Sequence, residues 1–232
     1  MAGAVKGVLG MGLPTVAMGL LGLFMPVAEG AALLVLPSLA TNLWQMLHGN
    51  ALPGLCRRLW PMMVGVAAGV YLGRGWLAPS ASFHANWLLG LCLAIYAATG
   101  LAGLRLATPP QRSEGWASAL VGGLTGALTA ATGVFVLPAV PWLQALRLTK
   151  DEMSQALGLS FTVSTLALAG NLAAGGHLDA GVATKSLLVL APALIGMWLG
   201  QLLRDELSQD AFRRCLYWGL LALATWLLAR GL

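Results

Sequence analysis

An all-α, polytopic membrane helical bundle of about eight transmembrane segments, in two homologous repeats of four, is the fold class this sequence predicts. Three observations predict it. Of 232 residues, 58% are hydrophobic and only 9% are charged, with a mean hydropathy of +0.80. Soluble domains carry about 25% charged residues, so a water-soluble globular domain is excluded, and the same hydrophobicity excludes disorder. Second, stretches free of Asp, Glu, Lys and Arg run over 7–28, 30–56, 59–73, 75–104, 115–146, 153–184, 186–203 and 215–229. Third, the two halves of the chain resemble each other.

A spanning helix needs about 20 mostly apolar residues. This places spans at 5–24, 28–48, 59–78, 83–106, 117–141, 152–173, 181–204 and 211–230. Strands of a membrane barrel would run about 10 residues with alternating polarity, and these stretches do neither. The first span carries Lys6 alone and no clean small-residue cleavage site, so it reads as a retained span, not a cleaved signal. It holds Gly7, Gly10, Gly12, Pro14, Gly19 and Gly22. The second has Glu29 at its start. The third is flanked by Arg57, Arg58 and Arg74, which can snorkel to the interface. After the fourth, a linker at 107–116 with Pro109–Pro110 divides a first repeat, 1–106, from a second, 117–232. The fifth span holds Gly122, Gly123, Gly126, Gly133, Pro138 and Pro141. The sixth begins at Asp151–Glu152, which reads as an N-terminal helix cap. The seventh and eighth repeat the glycine and aromatic pattern of the third and fourth. Trp44, Trp60, Trp76, Trp87, Trp116 and Trp142 lie near span ends, as interfacial residues do.

The internal likeness is specific in its order. Gly69-Val-Tyr-Leu-Gly73, a polar turn and Phe83-His-Ala-Asn-Trp-Leu-Leu-Gly90 match Gly196-Met-Trp-Leu-Gly200, a polar turn and Phe212-Arg-Arg-Cys-Leu-Tyr-Trp-Gly219. Lys6-Gly-Val-Leu-Gly10 matches Gly122-Gly-Leu-Thr-Gly126. The stretches Gly65-xxx-Gly69-xxx-Gly73 and Gly196-xxx-Gly200 read as close helix packing through small residues. The first span of each repeat reads differently. Paired Gly/Pro-interrupted segments in corresponding positions point to a transport site, and Gly10, Pro14, Gly126, Gly133 and Pro138 are the candidate break or hinge positions.

Polar groups inside spans are costly and face a bundle interior or cavity. Ser38, Asn42 and Gln45 fall on one helical stripe, as do Thr125, Thr129 and Thr132. The sixth span adds Gln155 and Ser160. These eight residues are the candidate substrate path, an uncharged lining that donates hydrogen bonds without trapping a solute by full charge. A small oxyanion suits it, with broken-helix N-termini adding positive potential. For the serines and threonines the alternative is a bond to the i−4 carbonyl of their own helix. Glu29 reads as a proton-coupling group or as an interfacial carboxylate. Lys185 reads as an anion-attracting site or as a snorkelling end residue. Most charges punctuate the apolar stretches at interfaces, and the path is expected to consist of amides, hydroxyls and broken backbone.

Other functions find no support. The cysteines Cys56, Cys92 and Cys215 form no CxxC pair, which argues against a thiol relay. His48, His84 and His177 lack spaced metal-ligand partners, and no catalytic motif is present. No metal, cofactor or enzymatic activity is expected. The net charge of +5 suits anionic lipid headgroups and not nucleic acid. The lysines and arginines divide almost evenly between the two sides of the bilayer, so the positive-inside rule decides little; Arg57–Arg58 favours cytoplasmic termini.

The chain resembles the sulfite exporter TauE/SafE family of membrane permeases. The likeness lies in Gly7-Val-Leu-Gly10-Met-Gly12, Pro26 and the helix from Glu29 to Gln45. It recurs in Gly122-Gly-Leu-Thr-Gly126, Thr132-Gly133-Val-Phe-Val-Leu-Pro138 and Leu148-Thr-Lys-Asp-Glu-Met-Ser-Gln-Ala156. The resemblance implies passage or export of a small anion, sulfite or an organosulfur or sulfonate compound, across a bacterial inner membrane by a multi-pass protein. The expected partners are the lipid bilayer and that anion, and association into a homo-oligomer stays open. A transporter with its site at the interface of the two repeats is the leading expectation. A non-transporting membrane subunit or assembly partner is the alternative.

Overall fold

The computed structural model describes residues 2–10, 12–74, 82–104, 106–203 and 208–230. Trp76, Arg105, Arg204 and the side chains of His84 and Arg230 lie outside what is described. Among the described residues there are ten helices and no strand: α1 (Ala2–Leu9), α2 (Leu13–Leu21), α3 (Val27–Leu47), α4 (Leu52–Leu72), α5 (Ser82–Leu101), α6 (Glu114–Thr132), α7 (Ala139–Ala145), α8 (Lys150–Ala174), α9 (Ala180–Leu203) and α10 (Gln209–Arg230). The eight sequence segments become ten helices because the first and the fifth are each broken. Among the described residues three helices, α3, α8 and α9, are long and apolar enough to cross a membrane.

Local chemistry sets the boundaries. Gly10 (φ 71°), Gly12 (φ 98°) and Gly133 (φ 69°) are left-handed, a conformation that glycine adopts without a Cβ penalty. Gly10 and Gly12 separate α1 from α2, whose first turn contains Pro14. Gly133 ends α6, and Pro138 caps α7. The Leu137–Pro138 peptide is cis. Asp151 and Glu152 do stand in the first turn of α8, but the cap is Thr149. Its hydroxyl accepts from the Glu152 N–H while the Glu152 carboxylate accepts from the Thr149 N–H, a capping box. Helix α4 starts at Leu52, well before the expected 59. Pro53 suits a first turn, and the exposed Arg57 and Arg58 continue the helix beyond its apolar stretch.

Helices α3 and α8 form the centre, with 61% of each apolar window buried, against 17% for the peripheral α9. Packing is reciprocal. Helix α1 lies on α9 and α6 on α4; α3 crosses α8, and α5 lies on α10; α3 also meets α9, as α8 meets α4. Exchanging the segments of the two halves maps these contacts onto one another.

Glycines bring the paired helices together. Gly3 and Gly7 of α1 rest on the backbone of Ala193, Met197 and Gly200 in α9. Gly122 and Gly126 of α6 rest on Met62, Val66 and Gly69 in α4. Gly65 and Gly69 answer against Ala119 and Gly123, and Gly200 against Ala4. A Cβ at Gly7, Gly69 or Gly126 would overlap a partner carbonyl, so these seams exist because the side chains are absent. The contacts pair Gly65–Gly69 with Gly196–Gly200, one turn earlier than sequence similarity suggests, and Gly3–Gly7 with Gly122–Gly126. Glycine recurs at 65, 69 and 73, so residue identity alone does not fix the turn.

Two tertiary details bear on the interior. Pro37 lies within α3 and has no N–H for the Leu33 carbonyl. The Ser186 hydroxyl of α9 donates to that carbonyl at 2.8 Å instead. Trp142, expected at the interface, is buried, and its indole N–H donates to Ser118 Oγ at 3.0 Å. The short α7 turns inward, taking the tryptophan with it. Trp44, Trp60, Trp87 and Trp116 are exposed, as expected of interfacial residues.

Candidate functional site

The interior between the two breaks holds a connected polar chain. The Lys6 ammonium donates to Thr41 Oγ1 at 3.0 Å and to Asn42 Oδ1. Asn42 Nδ2 donates to Thr165 Oγ1 at 3.2 Å, linking the two central helices. Thr41 and Thr165 in turn donate to the carbonyls of Pro37 and Phe161, at 2.8 and 2.7 Å. Lys6 is only 3% exposed, which corrects the expectation that charges stay at the interfaces. It is drawn inward because Gly3 and Gly7 seat α1 so closely on α9.

Next to Thr165 is a small cavity lined by Pro14 and Met18 of α2, by Leu34, Val35 and Ser38 of α3, by Gly133 and Phe135 at the second break, and by Leu168 of α8. Its volume is about 10 Å³, room for about one water. Residues of the first, second, fifth and sixth segments all contribute. Met18 also sits against Gly133, so the first broken segment touches the break in the second.

The expected path residues separate into two kinds. Several are occupied by backbone. Gln45 Nε2 donates to the Gly10 carbonyl at 2.8 Å, satisfying the first break. Gln155 accepts from the Ala51 N–H at 2.8 Å and donates to the Met46 carbonyl at 2.9 Å, so it fastens the α3–α4 turn to α8. Thr125, Thr129 and Thr132 donate to Val121, Thr125 and Leu128 at 2.7–2.8 Å, each an i−4 carbonyl of its own helix. Thr132 also accepts from the Val134 N–H beyond Gly133 at 3.2 Å. Gln45, Gln155 and Thr132 therefore support non-helical backbone, which a membrane interior tolerates only when it is satisfied within the protein. The other kind is buried and has no protein partner among the described residues: Ser38 Oγ and Ser160 Oγ, and the Gln45 Oε1 atom. Thr15 Oγ1 belongs with them.

Glu29 and Lys185, the candidate coupling groups, are both exposed and stand outside this cluster. Gly10, Gly133 and Pro138 lie at the breaks, Pro14 is in the first turn of α2, and Gly126 lies in a seam. Sequence reasoning missed Lys6, and it underweighted Thr41 and Thr165. The available signal was the position of Lys6 between Gly3 and Gly7, a spacing that presses a helix face onto its neighbour. Among the described residues no group of His, Cys, Asp and Glu could hold a metal ion.

An all-helical membrane protein with two broken segments meeting at a buried polar cluster is the class that this fold and site define. The family model for the sulfite exporter TauE/SafE matches residues 1–227. The chain belongs to that family, and membership implies a membrane transporter of sulfite or related anions. No curated protein and no solved structure matches the chain.

Proposed function

We propose that this protein is a multi-pass secondary transporter of the bacterial inner membrane that moves a small sulfur-containing anion, sulfite or a sulfonate, through the interior between its two broken segments. Eight segments would cross the bilayer as two repeats of four, 1–106 and 117–232. The reciprocal packing of the halves supports that arrangement.

One observation carries the reading: a buried lysine, Lys6, whose hydrogen-bond partners, Thr41 and Asn42, are neutral. A buried cation is costly unless it is paired, and an arriving anion supplies the counter-charge. The Ser38 hydroxyl, which lines the adjoining cavity and has no partner among the described residues, is a donor suited to its oxygens.

Uptake of labelled sulfite and of a short sulfonate into proteoliposomes tests this, with wild type set against Asn42→Ala, both checked for monodispersity. Uptake by wild type and a strong loss in the variant is the expected result. Equal flux in the two would sink the site assignment. Absence of flux, with a stoichiometric protein partner copurifying, would favour a non-transporting subunit.

A further inference from the structure

Among the described residues Lys6 is the one charged side chain buried in the interior. The elements packed on α1 bring it no counter-charge. Helix α9 carries the exposed Lys185, and α10 the exposed Asp210, Arg213 and Arg214; α2 carries none, and α3, which accepts the Lys6 hydrogen bonds, carries only the exposed Glu29 in its first turn. The ion pair of Arg58 with Glu114 is partly exposed, at 40% and 17%. Nor does the second half supply a twin of Lys6. In the register of the glycine seams Thr125 precedes Gly126 as Lys6 precedes Gly7, and the Thr125 hydroxyl donates to the Val121 carbonyl at 2.8 Å. The site therefore holds one basic side chain, on one side, among neutral hydrogen-bonding groups.

We infer that this site selects its solute by valence, taking a monoanion with an apolar substituent, of the alkylsulfonate class, over a dianion. The inference rests on the transport reading above. A monoanion beside a protonated Lys6 makes a buried pair of zero net charge. A dianion leaves one negative charge uncompensated in a low-dielectric interior, and such a charge is heavily penalised. The adjoining cavity points the same way. Met18, Leu34, Val35, Phe135 and Leu168 line it with apolar groups, which suit a short hydrocarbon better than a second anionic group. For sulfite itself, the species accepted is the hydrogen-bearing monoanion.

The test is uptake of labelled methanesulfonate into proteoliposomes holding the full-length protein, with ethanesulfonate or sulfate as competitor. Ethanesulfonate should compete well, and sulfate at least about tenfold more weakly. Lys6→Arg should keep that preference, and Lys6→Gln should lower sulfonate uptake at least about tenfold. Sulfate competing as well as ethanesulfonate overturns the valence inference and leaves transport standing. Undiminished uptake by Lys6→Gln overturns it too. No uptake of any anion by wild type removes the transport reading, and this inference with it. The competition arm uses wild type alone and does not depend on a variant folding.

Discussion

Replacing Asn42 by alanine removes one of the two acceptors for the Lys6 side chain and the donor to Thr165 in one step. A hydrogen bond to a charged group contributes about 1.5–3 kcal/mol and a neutral one about 1; bonds between membrane helices average about 0.6. Asn42→Ala should therefore cost about 3 kcal/mol. With Lys6→Met already in place, only the bond to Thr165 is left to lose, and the same substitution should cost about 1 kcal/mol. The coupling energy is then about 2 kcal/mol, within the range seen for residues in contact. Reversible unfolding of the four proteins in mixed micelles of denaturing and non-denaturing detergent measures it. A coupling below about 0.5 kcal/mol would refute the idea that the amide holds the ammonium.

Gly126→Ala or Gly69→Ala should destabilise by about 1–3 kcal/mol, because the new methyl overlaps a carbonyl across the α4–α6 seam. Gly170→Ala in α8, with open space around it, should stabilise by about 0.5–1 kcal/mol, and the same unfolding assay reads both. Ser186→Ala should cost about 1–2 kcal/mol by stranding the Leu33 carbonyl. In a Pro37→Ala background, where the helix N–H returns, that cost should fall toward zero. Arg58→Ala breaks a two-pronged contact with Glu114 at 2.6 and 3.0 Å, yet the pair is partly exposed. Its cost should stay near about 1 kcal/mol and shrink in melting curves recorded as salt rises.

What the sequence made legible was the covalent and conformational part of the fold. Left-handed glycines at 10 and 133, and prolines at 14 and 138, mark breaks by backbone chemistry alone. Glycines four apart mark close seams. Amides in a helix interior mark the centre, and α3 and α8 are indeed the buried helices. What stayed hidden depends on partners far along the chain. A threonine hydroxyl that bonds its own helix and one that faces a solute look alike in a sequence. Thr125, Thr129 and Thr132 each bond an i−4 carbonyl of their own helix. Lys6 near the start of a segment looks like any interfacial lysine until α1 is seated on α9. Trp142 likewise looks interfacial until α7 turns inward. Ser186 has no visible purpose in an apolar helix until Pro37, far away in sequence, leaves a carbonyl that needs it.

The glycine seams constrain how this molecule is able to move. Both run between the halves of the chain: α1 of the first half is keyed into α9 of the second, and α6 of the second into α4 of the first. A hinge at the 107–116 linker that swung one half away from the other would tear both seams open. A motion that keeps them closed carries α1 with α9 and α4 with α6. The mechanical parts are thus woven from both halves of the chain, and the Asn42–Thr165 bond, where α3 crosses α8, ties the first half to the second at the centre.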